Sequence, residues 1–381
     1  VVPVSVVHRD TTRRWAVVAG VVAVLVATPP VLSVARDTVA GLRTTDLPAA
    51  EVVRRALASD TVAYTGLAES RGGTSLPDLP RLADVTAILG GTTRTRVWWR
   101  SPGRWRVDTL GATGEQGTYA GDSVLSVWDY EGNRLTTVVG SAGARLPRAD
   151  DLLPPQAAGR VLRGLGRTDP VSFLPGGRRV AGRDGVALRV VPTDPRGTVT
   201  SVDLVVDDRT WLPLAVTVRG PGGDVALETH FVDLDLTAPG DDVLSPPAAP
   251  GADRDLQFDG DLVQRIDSRP WTFPARLAGL DRTRTLQQGT ATYGTGLARF
   301  VVVPLPHRIG HEVENAAIDK GAAPLDVTGG TAVLLRSGVL TVVIARAGGR
   351  GPAYLLSGLV QDEVLRQAAQ GMIDSPAEGF E

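Results

Sequence analysis

DRTWLPLAVTVRGPGGDVALETHFVDLDL, residues 208–236, is the stretch on which the reading of the fold turns. Leu212, Leu214, Val216 and Val218 alternate with other residues, and after the turn Gly220-Pro221-Gly222-Gly223 the alternation resumes at Val225, Leu227, Thr229 and Phe231. Two period-two runs across a glycine turn predict an antiparallel hairpin with one buried face.

Working outward, the flanking segments have the same character. VALRVV (186–191) and VTSVDLVVD (199–207) precede the hairpin. Further upstream, TVAYTGLAES (61–70), TRTRVWWR (93–100), RWRVDTL (104–110), GTYA (117–120), VLSVWDY (124–130) and RLTTVV (134–139) are short runs separated by turn residues. AAEVVRRALA (49–58) differs: Val52, Val53, Ala56 and Leu57 share one helical face, which suits a helix covering a sheet. The stretch from about Asp150 to Gly166 reads as a helical or irregular crossover. Composition agrees, with 44 glycines and 27 prolines in 381 residues suiting many strands and tight turns.

Residues 238–255 are rich in Pro, Gly, Ala and Asp and read as a linker between residues 46–240 and a smaller α+β domain, 256–375. That second part holds LARFVVVPL (297–305), TAVLLRS (331–337), VLTVVIA (339–345) and AYLLSGLV (353–360). It closes on a helix, DEVLRQAAQGMI, with Val364, Leu365, Ala368, Ala369 and Met372 on one stripe.

At the N-terminus, residues 15–35 carry no charge and follow Arg9, Arg13 and Arg14 of a basic n-region, residues 1–14. As a helix the run would rise roughly 31 Å, about one hydrocarbon thickness. It predicts either a single-pass anchor in the cell membrane, with the bulk of the chain extracytoplasmic, or a signal peptide cleaved near Ala35 and a secreted product.

Cysteine is absent and formal net charge is -2, with 40 basic and 42 acidic residues. Disulfides and thiolate chemistry are excluded, and no overall field recruits nucleic acid. The zincin pattern fails at HEVEN, where Asn315 stands in place of the second histidine. His307, His311 and Glu314 are better read as a turn with exposed polar residues than as metal ligands. VGSAG lacks the first glycine of a nucleophile elbow, and the GTG of YGTGLARF leads into a strand, so no enzyme, cofactor or metal is expected.

Aromatic residues carry more information. Trp98, Trp99, Trp105, Tyr119, Trp128 and Tyr130 lie on adjacent predicted strands, and alternation sends Trp98 and Trp99 to opposite faces. Trp98, Trp99, Trp105, Trp128 and Trp211 fill an ordinary core or line an apolar ligand cavity. In the second case Arg94, Arg96, Arg100 and Arg104 can meet an anionic headgroup at its rim.

The first domain resembles the LolA-like superfamily, and within it the RseB/MucB periplasmic sigma-factor regulators in an actinobacterial, membrane-anchored form. The resemblance rests on TVAYTGLAES, VWWRSPGRWRVDTL, VLSVWDYEGNRL and above all the opening stretch. PWTFPARLAGL, YGTGLARFVVV and AYLLSGLVQDEVLRQAA extend it into the second domain. It implies an α+β fold with a strongly curved antiparallel sheet around covering helices, followed by the smaller α+β domain. It also implies a non-enzymatic regulatory protein that senses a lipid or acylated peptide and contacts an anti-sigma-like membrane protein. The alternative is a lipid or lipoprotein carrier of the cell envelope.

Overall fold

The computed structural model of the chain describes residues 45–73, 91–111, 114–121, 124–139, 148–166, 168–247, 250–258, 271–286, 290–305, 307–319, 321–349 and 351–379. The first element is helix α1 (Ala49–Leu57), which buries Val52 and Ala56. Its opposite side is held by Glu51, whose carboxylate accepts from Arg54 at 2.5 and 2.7 Å and from Arg55 at 2.7 Å. These i,i+3 and i,i+4 pairs support a helix of only nine residues, too short to be stable alone.

Thirteen strands follow: β1 (Tyr64–Gly72), β2 (Thr92–Ser101), β3 (Arg104–Gly111), β4 (Gly114–Gly121), β5 (Val124–Asp129), β6 (Arg134–Val139), β7 (Val171–Phe173), β8 (Arg178–Val180), β9 (Arg183–Val190), β10 (Ser201–Asp207), β11 (Pro213–Arg219), β12 (Val225–Asp235) and β13 (Asp253–Phe258). They form one sheet ordered β13-β6-β5-β4-β3-β2-β1-β12-β11-β10-β9-β7, with β8 also on β9. The hairpin read from residues 212–231 is β11–β12. Its register shifts between Val218 and Arg219, so Ala226 is buried in β12 while Val225 faces solvent.

The turn before the hairpin is a tight one. Asp207 N–H donates to Leu212 O at 2.9 Å, and Trp211 takes a positive φ of 63°. The Asp207 carboxylate holds the loop by accepting from Thr210 N–H, Thr210 Oγ1 and the Arg183 guanidinium. Burial works to raise the pKa of Asp207, but Arg183 and Thr210 outweigh it and hold the group below the usual carboxylate range.

One face of the sheet is covered by α1 and by α2 (Pro154–Arg163), which begins with proline in its first turn. Beneath the two helices lie Leu188, Val190, Val202, Leu204, Val206, Val216 and Val218. The same face continues as Phe231, Tyr64, Val97, Trp99, Trp105 and Val107, packed with Ala149 and Leu153.

After β14 (Trp271–Thr272), the remaining strands β15 (Arg276–Leu277), β16 (Leu280–Leu286), β17 (Thr290–Thr295), β18 (Ala298–Leu305), β19 (Ala323–Pro324), β20 (Gly330–Ser337), β21 (Leu340–Ala347) and β22 (Ala353–Gly358) form an antiparallel sheet of eight. β14 pairs instead with β23 (Glu378–Gly379). Helices α3 (His307–Asp319) and α4 (Asp362–Asp374) pack on this sheet. Leu365, Ala368, Ala369 and Met372 of α4 join Tyr293, Phe300, Val343 and Leu356 in one core, while Ala317 of α3 packs with Val333 and Ile344 on the other face. Burial on both faces explains why β20 and β21 read as continuous apolar runs.

Helix α3 replaces the turn expected at His307 and His311. Gly310 lies inside the helix and serves packing: a Cβ there would overlap the Cβ of Ala353 in β22. Glu314 is buried and occupied, accepting from Arg346 Nε at 2.5 Å and from Thr331 Oγ1 at 2.7 Å.

Two further expectations are corrected. The sheet is not the strongly curved antiparallel one expected: both sheets are open, with helices alongside, and neither curls onto itself. The first is mixed, because β13 adds to β6 in parallel, and its terminal strands β13 and β7 do not pair with each other. Nor is the single-pass transmembrane topology, with the cell-membrane localisation built on it, carried by the structure. Among the described residues no helix is long and apolar enough to cross a membrane, and residues 1–14 and 15–35, on which that expectation fell, lie outside them.

Gly310→Val is expected to destabilise the second half by about 1–3 kcal/mol through overpacking, measured as a lowered urea midpoint. Glu314→Ala strands a largely buried guanidinium and should cost about 3 kcal/mol in the same assay. Because the folded pKa of Asp207 is depressed, its stabilisation is present above the unfolded carboxylate pKa and is lost as pH falls through the folded value. The acid limb of a stability-versus-pH curve should therefore be shallower in Asp207→Asn than in the parent.

Candidate functional site

The sheet sorts the five tryptophans into different surroundings. In the antiparallel register Tyr64 pairs with Trp99, and Trp99 with Trp105. Cross-strand partners share a face, so the three rings stack in one row, with centroids 6.1 and 5.8 Å apart and planes within 10°. Phe231 meets Tyr64 edge-on at 5.5 Å. The indole N–H of Trp99 donates to Asp60 O at 2.9 Å and that of Trp105 to Pro102 O at 3.2 Å. Trp99 and Trp105 are packed core residues with satisfied polar atoms. The Tyr64 hydroxyl, by contrast, is buried without a partner, and desolvation raises its pKa far above the ordinary value. Trp211 is half-buried in the turn between β10 and β11, with the Arg55 guanidinium 5.1 Å from its ring centroid.

Trp98 and Trp128 lie on the opposite face. There the Arg106 guanidinium sits 4.5 Å from the Trp98 ring and 5.0 Å from the Tyr119 ring. It donates to both Asp108 oxygens, at 2.8 and 2.5 Å, and to the Tyr130 hydroxyl at 2.9 Å. Asp108 is fully buried, and Gly117 gives it space, since a Cβ there would come within 3.1 Å of its oxygen. Trp128 meets Tyr130 edge-on at 6.0 Å, and its buried indole N–H has no partner. The sequence reading named these aromatics but missed Arg106 and Asp108. The signal was present in RWRVD, where residues two apart in a strand face the same way and can form a bidentate ion pair.

All four arginines predicted for a headgroup share this second face, and each has a partner. Arg94 donates to Glu69 at 2.9 Å, while Arg96 is only loosely paired, 4.0 Å from Glu115. Arg100 bonds Asp241 at 2.7 Å and the Pro239 carbonyl at 2.5 Å. Arg104 reaches Ser245 Oγ at 3.2 Å and lies 3.5 Å from the same Asp241 oxygen. Arg106 adds a contact to Val243 O at 3.5 Å. The residues read as linker thus include a strap, 239–245, laid over the arginine end of the face and pinned by buried Leu244.

Chemically, this face offers guanidinium groups beside aromatic rings, which suits recognition of anionic or flat groups. Among the described residues no group of three or more His, Cys, Asp or Glu is placed to hold a metal ion.

A different surface joins the chain's two sheets. Thr198 N–H donates to Leu359 O at 3.1 Å and its hydroxyl to Val339 O at 2.5 Å. Gln361 returns two bonds, N–H to Arg196 O at 2.8 Å and Nε2 to Gly197 O at 2.9 Å. Val339 and Leu297 are buried in the same core as Val199, Val202 and Val218. Beside these contacts lies a cleft of about 510 Å³, lined by Asp169, Thr193, Asp194, Arg196, Gly296 and Leu297 among others. Asp169 is saturated, accepting from Gly166 N–H, Thr193 N–H and Thr193 Oγ1.

No family model matches the chain, and no curated protein does. Among solved structures the chain is similar to MucB in complex with MucA(peri), at 20% identity and a TM-score of 0.46, over 84% of this chain and 97% of that one. The MucA/MucB complex of Pseudomonas aeruginosa aligns at 20% identity and a TM-score of 0.47, over 84% and 96%. A LolA superfamily protein from Nitrosomonas europaea aligns at 13% identity and 0.26, over 52% and 98%.

The division of the tryptophans predicts unequal costs. Trp99→Ala should destabilise by about 3–5 kcal/mol in urea unfolding, and Trp98→Ala by less than half as much. Asp108→Ala leaves Arg106 partly buried and unpaired and should cost about 3 kcal/mol. The Asp108→Ala, Arg106→Leu double variant should recover part of that loss.

Proposed function

We propose that this chain is a non-catalytic regulatory binding protein. Its first sheet takes a lipid or acylated peptide, and its second half passes the bound state to an anti-sigma-like membrane partner. Trp98, with Arg94, Arg96, Arg100 and Arg104, meets the ligand on the outer face, and buried Trp128 supports that face from beneath. Trp99, Trp105 and Trp211 act through the shape of the sheet. The observation that carries this reading is the junction: residues 196–198 bond directly to Val339, Leu359 and Gln361, and the first sheet's core admits Leu297 and Val339. A change of register or tilt in the first sheet is therefore felt in the second half through packed atoms rather than through a flexible tether. The sequence likeness of residues 208–236 to the RseB/MucB regulators supports the same reading.

A palmitoylated peptide added to the full chain should bind at one-to-one stoichiometry in native mass spectrometry. It should also alter amide hydrogen exchange at residues 196–199 and 359–361. Binding that leaves exchange at these residues unchanged removes the coupling, and failure to bind any acylated ligand removes the sensing role. Linkage requires the reciprocal effect, so a partner that binds the second half must change the peptide's affinity by the same factor.

A further inference from the structure

We propose that Arg100 and Arg104 form a binding site for a phosphate group, and that the strap 239–245 is its built-in competitor, with the Asp241 carboxylate standing where the phosphate sits. The inference rests on the binding role given above to the outer face and names the chemistry of one end of it.

The geometry of the present occupant is the first argument. A single oxygen, Asp241 Oδ1, serves both guanidinium groups, at 2.7 Å to Arg100 Nη1 and 3.5 Å to Arg104 Nη2. Inorganic phosphate carries four oxygens around one tetrahedral centre and a phosphodiester two non-ester oxygens, so each arginine can have its own acceptor, the arrangement guanidinium groups favour. The remaining strap contacts, Arg100 to the Pro239 carbonyl and Arg104 to Ser245 Oγ, tie both guanidinium groups to the same strap.

Exposure is the second argument. The Asp241 side chain is 75% exposed, and both arginines are about one-third exposed. An ion pair in that setting is weak and screened by salt. Leu244, buried three residues on, fixes the strap, so exchange of one anion for another moves only the exposed part before it. The neighbouring ion pairs differ in kind: Arg106–Asp108 is enclosed by aromatic rings and keeps its carboxylate.

The strap also leads toward the second half of the chain. Downstream it becomes β13, in which Asp253, Arg254, Asp255 and Leu256 are all exposed, and which is held to β6 along a parallel backbone ladder.

The test uses the full chain at low ionic strength, with inorganic phosphate and dihexanoyl phosphatidylglycerol below its micelle concentration as probes, and dihexanoyl phosphatidylcholine as control. Asp241→Asn should bind phosphate about two- to fivefold more tightly than the parent, the gain expected from removing an exposed competing charge. Asp241→Glu should match the parent, and the Arg100→Gln, Arg104→Gln double variant should lose binding. All three residues are about one-third exposed or more, and unchanged thermal melts will confirm that the variants fold. Hydrogen exchange at residues 240–243 should rise when phosphate binds the parent chain. Tighter binding of phosphatidylglycerol than of phosphate assigns the site to a lipid headgroup, and equal binding assigns it to free phosphate. Equal affinity in parent and Asp241→Asn, binding retained by the double arginine variant, or no binding by Asp241→Asn each overturns the proposal. A chain that fails here but binds the palmitoylated peptide and transmits to residues 359–361 keeps its regulatory role. One that binds phosphate without that transmission keeps only the site.

Discussion

Tyr64 opposite Trp99, Trp99 opposite Trp105 and Arg106 opposite both Trp98 and Tyr119 are consequences of a single backbone register running from β12 through β1, β2, β3 and β4. Side chains in a strand alternate, so a slip of one residue would carry Trp99 into the arginine face and Arg100 into the core. The desolvation cost of the buried guanidinium and the lost stacking of three rings both oppose such a slip. Register is fixed on two faces at once, and the chemistry of each face follows from it.

The second half of the chain is organised around a different constraint. Its sheet is covered on both sides, by α3 and α4, and close approach of those helices decides its composition. Gly310 lets α3 settle on Ala353, and small residues Ala368 and Ala369 let α4 lie against β21 and β22. The buried Glu314–Arg346 pair gives α3 one orientation on the sheet, since any other would leave a charge without its partner.

What could be read from sequence was whatever is local and periodic. Alternation in residues 212–231 located the hairpin, the adjacency of Trp98 and Trp99 placed them on opposite faces, and Val364, Leu365, Ala368, Ala369 and Met372 were found as the buried side of a helix. Relations without a period left no such trace. β13 pairs through its backbone while exposing four consecutive side chains, so nothing in its residue pattern distinguishes it from a linker. Asp241 meets Arg100 across 141 positions, a contact no spacing rule anticipates. The cost of Gly310 in a helix is general, whereas the contact that favours it is particular to Ala353. The openness of the sheet is likewise set by which end strands find partners, and residue patterns within single strands do not record that.

The parallel strand β13 also closes a margin. Without it, β6 would present a row of unpaired amides and carbonyls, the kind of edge that recruits strands from other chains. The chain spends part of the segment joining its halves as a seal on its own sheet, and places Asp253, Arg254 and Asp255 on the outermost strand. A protease that nicked this exposed segment would do more than loosen one half from the other. It would turn a guarded border into an adhesive one, so resistance to cleavage and resistance to aggregation are vested in the same six residues.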